Sequence, residues 1–145
     1  MTARARSCAV RRGDAISTIR AFEAGEIDAA GFDHEAHVRI AWSYLQDYPA
    51  AIAIARFTSA LKSLTTRLAM PHKYHETVSW FFMIVIANRM ADRLDASQAH
   101  DWHTFKTENN DLFEHASALL HRHYSSACLG STNARQRFVL PDLAP

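Results

Sequence analysis

The sequence predicts an all-α protein, because glycine and proline are scarce and apolar residues recur at helical spacing. The chain has 145 residues with only four glycines and four prolines. No stretch alternates with the period of two that is typical of a half-buried strand. The most apolar run, residues 80–87, is hydrophobic on every side of a helix, which indicates a central buried helix. We therefore expect a single-domain bundle of about six helices around a helix at about 76–94.

The first two helices are predicted from their capping residues. Asp14 is a good N-cap for a first helix that ends at Gly25, because glycine readily adopts the left-handed conformation of a helix stop. Asp33 is an equally good N-cap for a second helix at about 34–47. Phe32 precedes this cap and is placed to pack back on the helix as a hydrophobic staple.

The remaining helices are predicted from proline positions and apolar stripes. Pro49 suits the first turn of a third helix that extends to about residue 68. In the apolar helix, five side chains should be largely inaccessible: Trp80, Phe82, Met83, Ile84 and Ile86. Further elements are expected in this order: a fifth helix capped by Ser97, a sixth at about 111–124, a loop at 125–133 and one short turn at 134–139.

Composition and charge limit the partners that we expect. Hydrophobic residues make up 48% and charged residues 21% of the chain, an ordinary globular balance. Sixteen basic and fifteen acidic residues give a net charge of +1, which offers no electrostatic argument for nucleic acid or a membrane surface. Two cysteines do not make a disulfide framework, so a cytoplasmic location is expected.

The arginines near the N-terminus indicate where the predicted helical domain begins. Arg4, Arg6, Arg11 and Arg12 all precede the first acidic residue, without an apolar run that would mark a signal peptide. We interpret residues 1–13 as a disordered basic arm, 14–142 as one helical domain and 143–145 as a tail.

Two clusters of titratable residues are candidates for chemistry, and each opens a predicted helix. His34 and His37 are three residues apart, so they share a helix face and could bind a metal together. His75 stands at the start of the apolar helix, where the helix dipole favours the neutral imidazole that binds metals. Glu76 and Tyr74 flank it. In the simpler alternative, all of these residues only cap and solvate helix ends.

Four sequence segments follow one another along the chain in an order that is similar to that of other proteins. They are Phe32–Val38, Ala41–Leu45, Lys73–Thr77 and Ala134–Asp142. This arrangement resembles a widespread group of small, uncharacterised bacterial all-helical proteins. The resemblance implies a helical fold and draws attention to Arg135 and Asp142 beside the histidine clusters, but it implies no particular reaction.

The functional hypothesis from the sequence is a small metal-dependent enzyme. His34, His37 and His75 would hold one transition-metal ion, zinc, iron or copper, and leave a position open for water or oxygen. Glu76 would be a fourth ligand or general base, and Tyr74 a proton carrier. Arg135 would bind a small, anionic substrate through its guanidinium fork. The alternatives are a non-catalytic helical binding module, with a homodimer left open, and a metal-free acid–base enzyme that uses His75 and Glu76.

Overall fold

The computed structural model describes residues 18–27, 32–92 and 101–143, and these residues form helices without any strand. The all-α prediction is therefore confirmed. The chain divides into two compact units, Met1–Pro71 and His72–Pro145, and each is described by itself. The single domain over 14–142 stays a prediction. Asp14, Ser97 and the basic arm lie outside the described residues.

The described residues of the first unit form three helices, and the sequence predicts the described ends of these helices well. Residues 18–23 are helical (α1), and Gly25 ends this helix with a φ of 72°, as a helix-stopping glycine should. Helix α2 spans His34–Asp47, where it was expected, and Asp33 is its N-cap. Helix α3 spans Ala50–Arg67, directly after Pro49.

Aromatic rings from all three helices build the core of the first unit. The Phe22 ring stacks on Phe57 at a centroid distance of 5.6 Å, and Tyr44 meets Phe22 edge-on at 6.2 Å. Tyr44 is fully buried, and its hydroxyl donates to the Glu23 carboxylate over 3.1 Å. Burial and the Glu23 charge together raise the pKa of Tyr44 well above its usual range. Arg56 also donates to Glu23, over 2.9 Å, so the one carboxylate joins α1 to both other helices.

The second unit starts within a 3-10 turn at Pro71–Lys73 and continues with the apolar helix α4, Glu76–Ala91. Among residues 101–143 there are five shorter helices: α5 at Trp102–Glu108, α6 at Asp111–Glu114, α7 at Ala116–His121, α8 at Ser126–Leu129 and α9 at Thr132–Gln136. Near the end of α4, Arg89 donates two hydrogen bonds of 2.7 Å to the Asp111 carboxylate. This pair fixes α4 to the start of α6.

Helix α4 is only partly covered, which corrects part of the burial prediction. Met83 and Ile86 are fully buried as expected, and Phe81 is buried on another side of the helix. Trp80, Phe82 and Ile84 are only half-buried. A helix that is apolar on every side still needs neighbours on every side to be fully covered.

The segment expected to be a loop at 125–133 folds instead into α8 and the start of α9. Ser125 and Ser131 stand one residue before these helices, and their hydroxyls accept from the N–H groups of Cys128 and Ala134. Serine is among the best N-cap residues. Two short capped turns therefore replace the predicted loop. The sixth helix predicted at 111–124 is likewise divided into α6 and α7.

Candidate functional site

The start of α2 is organised by contacts between residues close in sequence. The Asp33 carboxylate accepts the Ala36 N–H over 2.9 Å, which caps the helix. The Phe32 ring lies 3.9 Å from the His37 ring, between centroids. Phe32 precedes the cap and His37 is the fourth residue of the helix, which is the geometry of a hydrophobic staple. The predicted staple is therefore present, and His37 is its second half.

The two histidines of α2 have different surroundings. His34 is exposed in the first turn, whereas His37 is half-buried. Burial, followed by the proximity of His34, lowers the pKa of His37 from 6.5 to about 4. Removing an imidazolium from water is costly without a compensating partner. His37 is thus a neutral imidazole at physiological pH.

At the start of α4, both ring nitrogens of His75 have hydrogen-bond partners. The Val78 N–H donates to His75 Nδ1 over 3.3 Å, so the imidazole is the N-cap of the helix. His75 Nε2 lies 2.8 Å from the carbonyl oxygen of Leu129. Because a carbonyl oxygen only accepts, Nε2 carries the proton and donates to it. The ring is therefore neutral, and it connects α4 to the last residue of α8.

Glu76 and Tyr74 form a short hydrogen-bonded network beside this cap. The Tyr74 hydroxyl donates to one oxygen of Glu76 over 2.7 Å. The Trp80 indole N–H donates to the other oxygen over 2.7 Å. The Trp80 ring in turn stacks on Phe138 at a centroid distance of 5.2 Å. Each carboxylate oxygen of Glu76 thus has a donor, and the network leads to the C-terminal segment.

Thr77 is not among the candidate site residues predicted from the sequence. It is fully buried. Its hydroxyl lies 2.7 Å from the carbonyl oxygen of Ala134 and 2.9 Å from that of Arg137, and it accepts the Val139 N–H over 3.2 Å. A polar group on a helix that enters the core needs partners, which could have directed attention to it.

Residues 137–143, the C-terminal strap, lie along the second unit through further bonds. The Tyr124 hydroxyl donates to the Val139 carbonyl oxygen over 2.7 Å. The Asp142 carboxylate accepts from the N–H and the hydroxyl of Ser125, at 2.8 and 2.6 Å. Those bonds lower the pKa of Asp142. Val139 also packs against the cluster of Phe81, Leu120 and Tyr124.

Arg135 is close to the other motif residues in space, although its guanidinium is exposed. It donates to the carbonyl oxygen of His72 over 2.7 Å. The segments Lys73–Thr77 and Ala134–Asp142, which are far apart in sequence, therefore meet in one structural site. This site holds the C-terminal strap against the start of α4.

The predicted metal ligands are divided between the two units. His34 and His37 belong to the first and His75 to the second, and their convergence stays a prediction. Within residues 18–27, 32–92 and 101–143, no group of three or more His, Cys, Asp or Glu side chains is arranged to hold a metal ion. A groove of about 650 Å³ in the first unit is lined by Glu23, Tyr48 and Arg56 among others, and by none of the predicted site residues.

Of the helices that the structure describes, none is both long and apolar enough to cross a bilayer. Models of known protein families, characterised proteins and solved structures were each compared with the chain, and none matches it. The resemblance to small bacterial helical proteins therefore stays a prediction.

Proposed function

We propose that this chain is a non-catalytic helical binding module. In it, residues 72–77 at the start of α4, which we name the lock, hold the C-terminal strap in place. One observation supports the proposal above the others. Both ring nitrogens of His75, both carboxylate oxygens of Glu76 and the hydroxyl of Thr77 already have partners inside the second unit. His75 and Glu76 are the two residues that both enzyme hypotheses use.

Chemistry at these groups would require the lock to open. A general base must have a free lone pair within reach of the proton that it takes. In His75 the only lone pair of the neutral ring, at Nδ1, accepts the Val78 N–H. Use of His75 as a base would therefore uncap α4, and this argues against the metal-free acid–base alternative with Glu76.

The metal-dependent enzyme remains the second candidate, and one observation favours it. His37 keeps a neutral imidazole at physiological pH because burial lowers its pKa to about 4, and a neutral ring is the form that binds zinc, iron or copper. His75 would have to give up either Val78 or Leu129 to join His34 and His37 as a ligand. Tyr74, Glu76 and Arg135 would then keep the roles suggested by the sequence.

Calorimetry of the full chain without a histidine tag distinguishes the two candidates. Wild-type protein, His75→Ala and His72→Ala are each titrated with zinc, ferrous iron, copper and manganese. If the chain is a binding module, we expect that metal binding does not depend on His75 in any of these titrations. One metal per chain that binds to the wild type and to His72→Ala, but not to His75→Ala, would overturn the proposal. His72 is a matched control because its side chain is exposed and only its carbonyl is used.

A further inference from the structure

Three cations stand on one part of the second unit without an acidic partner. They are Lys73 in the 3-10 turn, Arg135 in α9 and Arg137 at the C-terminal cap of α9, and we name them the basic face. All three are exposed, and none forms an ion pair with an acid in the described part of the chain. Exposed cations that no acid neutralises can still donate hydrogen bonds to an anion.

The lock described above determines where these cations stand. The hydrogen bond from Arg135 to the His72 carbonyl places its guanidinium beside the turn that carries Lys73. Thr77 binds the carbonyl oxygen of Arg137, which fixes the backbone from which that side chain extends. Because the backbone is held in place, less conformational freedom is lost when a ligand binds.

The acidic group nearest in sequence to the basic face does not neutralise it. Glu76 is three residues from Lys73, but its two oxygens accept from Tyr74 and Trp80. Asp142 near the other end of the C-terminal strap is bound to Ser125. The two carboxylates are thus held by neutral donors and not by the three cations.

A strongly exposed apolar residue follows the basic face closely along the chain. Leu140 is 77% exposed, the highest value among the exposed large hydrophobic residues of the described chain. It follows Arg137 by three residues, so at most about 10 Å of extended backbone separates their Cα atoms. A surface that combines cations with a protruding leucine suits a ligand that has both carboxylates and apolar groups.

We propose that the basic face and Leu140 bind a short acidic segment of another protein that carries an apolar side chain among its carboxylates. This inference rests on the proposed binding function and names the partner class. Arginine favours carboxylates because its planar fork donates two parallel hydrogen bonds. The segment would place carboxylates at Arg135 and Arg137 and its apolar group at Leu140.

Nucleic acid fits this surface less well. Residues 72–145 contain seven Lys and Arg against eight Asp and Glu, so the unit has no general positive field. Single-stranded binding adds base stacking on exposed aromatic rings, whereas Trp80 and Phe138 stack on each other. Three phosphate contacts alone give little affinity at physiological salt.

The test measures fluorescence anisotropy of a labelled octapeptide, Glu-Glu-Leu-Glu-Glu-Leu-Glu-Glu, with the full chain. The same peptide with glutamine for every glutamate is the ligand control. We expect the acidic peptide alone to bind, and the double variant Arg135→Gln/Arg137→Gln to raise its Kd at least about tenfold. Arg122→Gln removes one positive charge from an exposed site of the same unit, as each single variant of the basic face does, and should leave the Kd within about twofold.

Two single variants keep the test valid if the double variant is unstable. The side chains of Lys73 and Arg137 form no ion pair in the described chain, so Lys73→Gln and Arg137→Gln should fold normally and each weaken binding by about threefold. The proposal is overturned if neither variant weakens binding or if the acidic peptide does not bind. Tighter binding of a 20-nucleotide single-stranded DNA, or of phosphatidylserine vesicles, would also overturn it. A failure here leaves the metal titrations unchanged, so the two proposals fail separately.

Discussion

Helices α2 and α4 each have a histidine in the polar cluster at their start, His37 and His75, and the two histidines have different roles. His37 packs its ring on Phe32, five residues earlier, and the neighbouring cap is Asp33. His75 is itself the cap and binds Leu129, which is 54 residues away. The first helix start is completed by local contacts, whereas the second is completed by the far end of the chain.

The difference shows that similar sequence patterns can have different energetic roles. A staple and an Asp cap stabilise a helix mainly from within, by about 0.5–2 kcal/mol for the cap. The start of α4 instead organises a tertiary contact, because Thr77 beside the cap binds three backbone groups of residues 134–139. Substitutions at the two sites should therefore have distinguishable effects.

The largest effect is expected at Thr77. Thr77→Val keeps the shape of the side chain but leaves two carbonyl groups and one N–H without their partner. We expect the free energy of unfolding to fall by about 2–4 kcal/mol, since a buried unsatisfied group costs about 1–3 kcal/mol. Urea unfolding measures this change in the free energy of unfolding. Thr66→Val is the matched control, because the exposed Thr66 hydroxyl binds only Lys62 of its own helix. A similar loss in both variants would contradict the tertiary role of Thr77.

The next effect is the pH dependence that His37 contributes. The pKa of His37 is 6.5 before folding and about 4 in the folded chain, so the unfolded chain takes up the proton first as pH falls. The contribution of His37 to the free energy of unfolding is fully present above pH 6.5 and is lost progressively towards pH 4. One pKa unit corresponds to about 1.4 kcal/mol. Because the ring is partly solvated, we expect a total loss of only about 2 kcal/mol. His37→Phe keeps a ring beside Phe32 without the titration. Parallel stability profiles for the two proteins between pH 7 and 4 would exclude the effect.

A smaller effect is expected from removing the histidine cap of α4. His75→Ala deletes the bonds to Val78 and Leu129, and we expect a loss of about 1–2 kcal/mol, a typical sum of one cap and one further hydrogen bond. Thermal unfolding of His75→Ala and His72→Ala provides the comparison. If His72→Ala is equally destabilised, the cap at His75 has no special role.

The smallest effect is expected at Asp142 and should be local. Asp142→Asn removes the charge that accepts from Ser125, near the exposed end of the C-terminal strap. We expect faster hydrogen exchange at the N–H groups of Ser125 and Leu143, with a melting temperature close to that of the wild type. Exchange at Val139 should change less, because Thr77 holds that N–H. A uniform increase along the chain would show that the bond stabilises the whole unit.

The sequence by itself determined the fold class and the features that depend on neighbours along the chain. The bounds of α2, the Asp33 cap, the Phe32 staple and the Gly25 stop all arise from interactions over at most five residues, so residue type and spacing suffice to predict them. The caps at Ser125 and Ser131 belong to this class as well. They were missed because the small polar residues around them also suit a loop.

Only the tertiary structure decided what the segment before α4 does. His75 and Glu76 suggest a metal or acid–base site, but their polar atoms are occupied in the fold. Glu76 and His75 Nδ1 are bound by residues within four positions, whereas His75 Nε2 is bound by the distant carbonyl of Leu129. Leu129, which His75 binds, and the three backbone groups that Thr77 binds lie 54 to 62 residues away. No local pattern specifies such partners, because a buried polar group can form a hydrogen bond with any suitable group that the fold brings close to it.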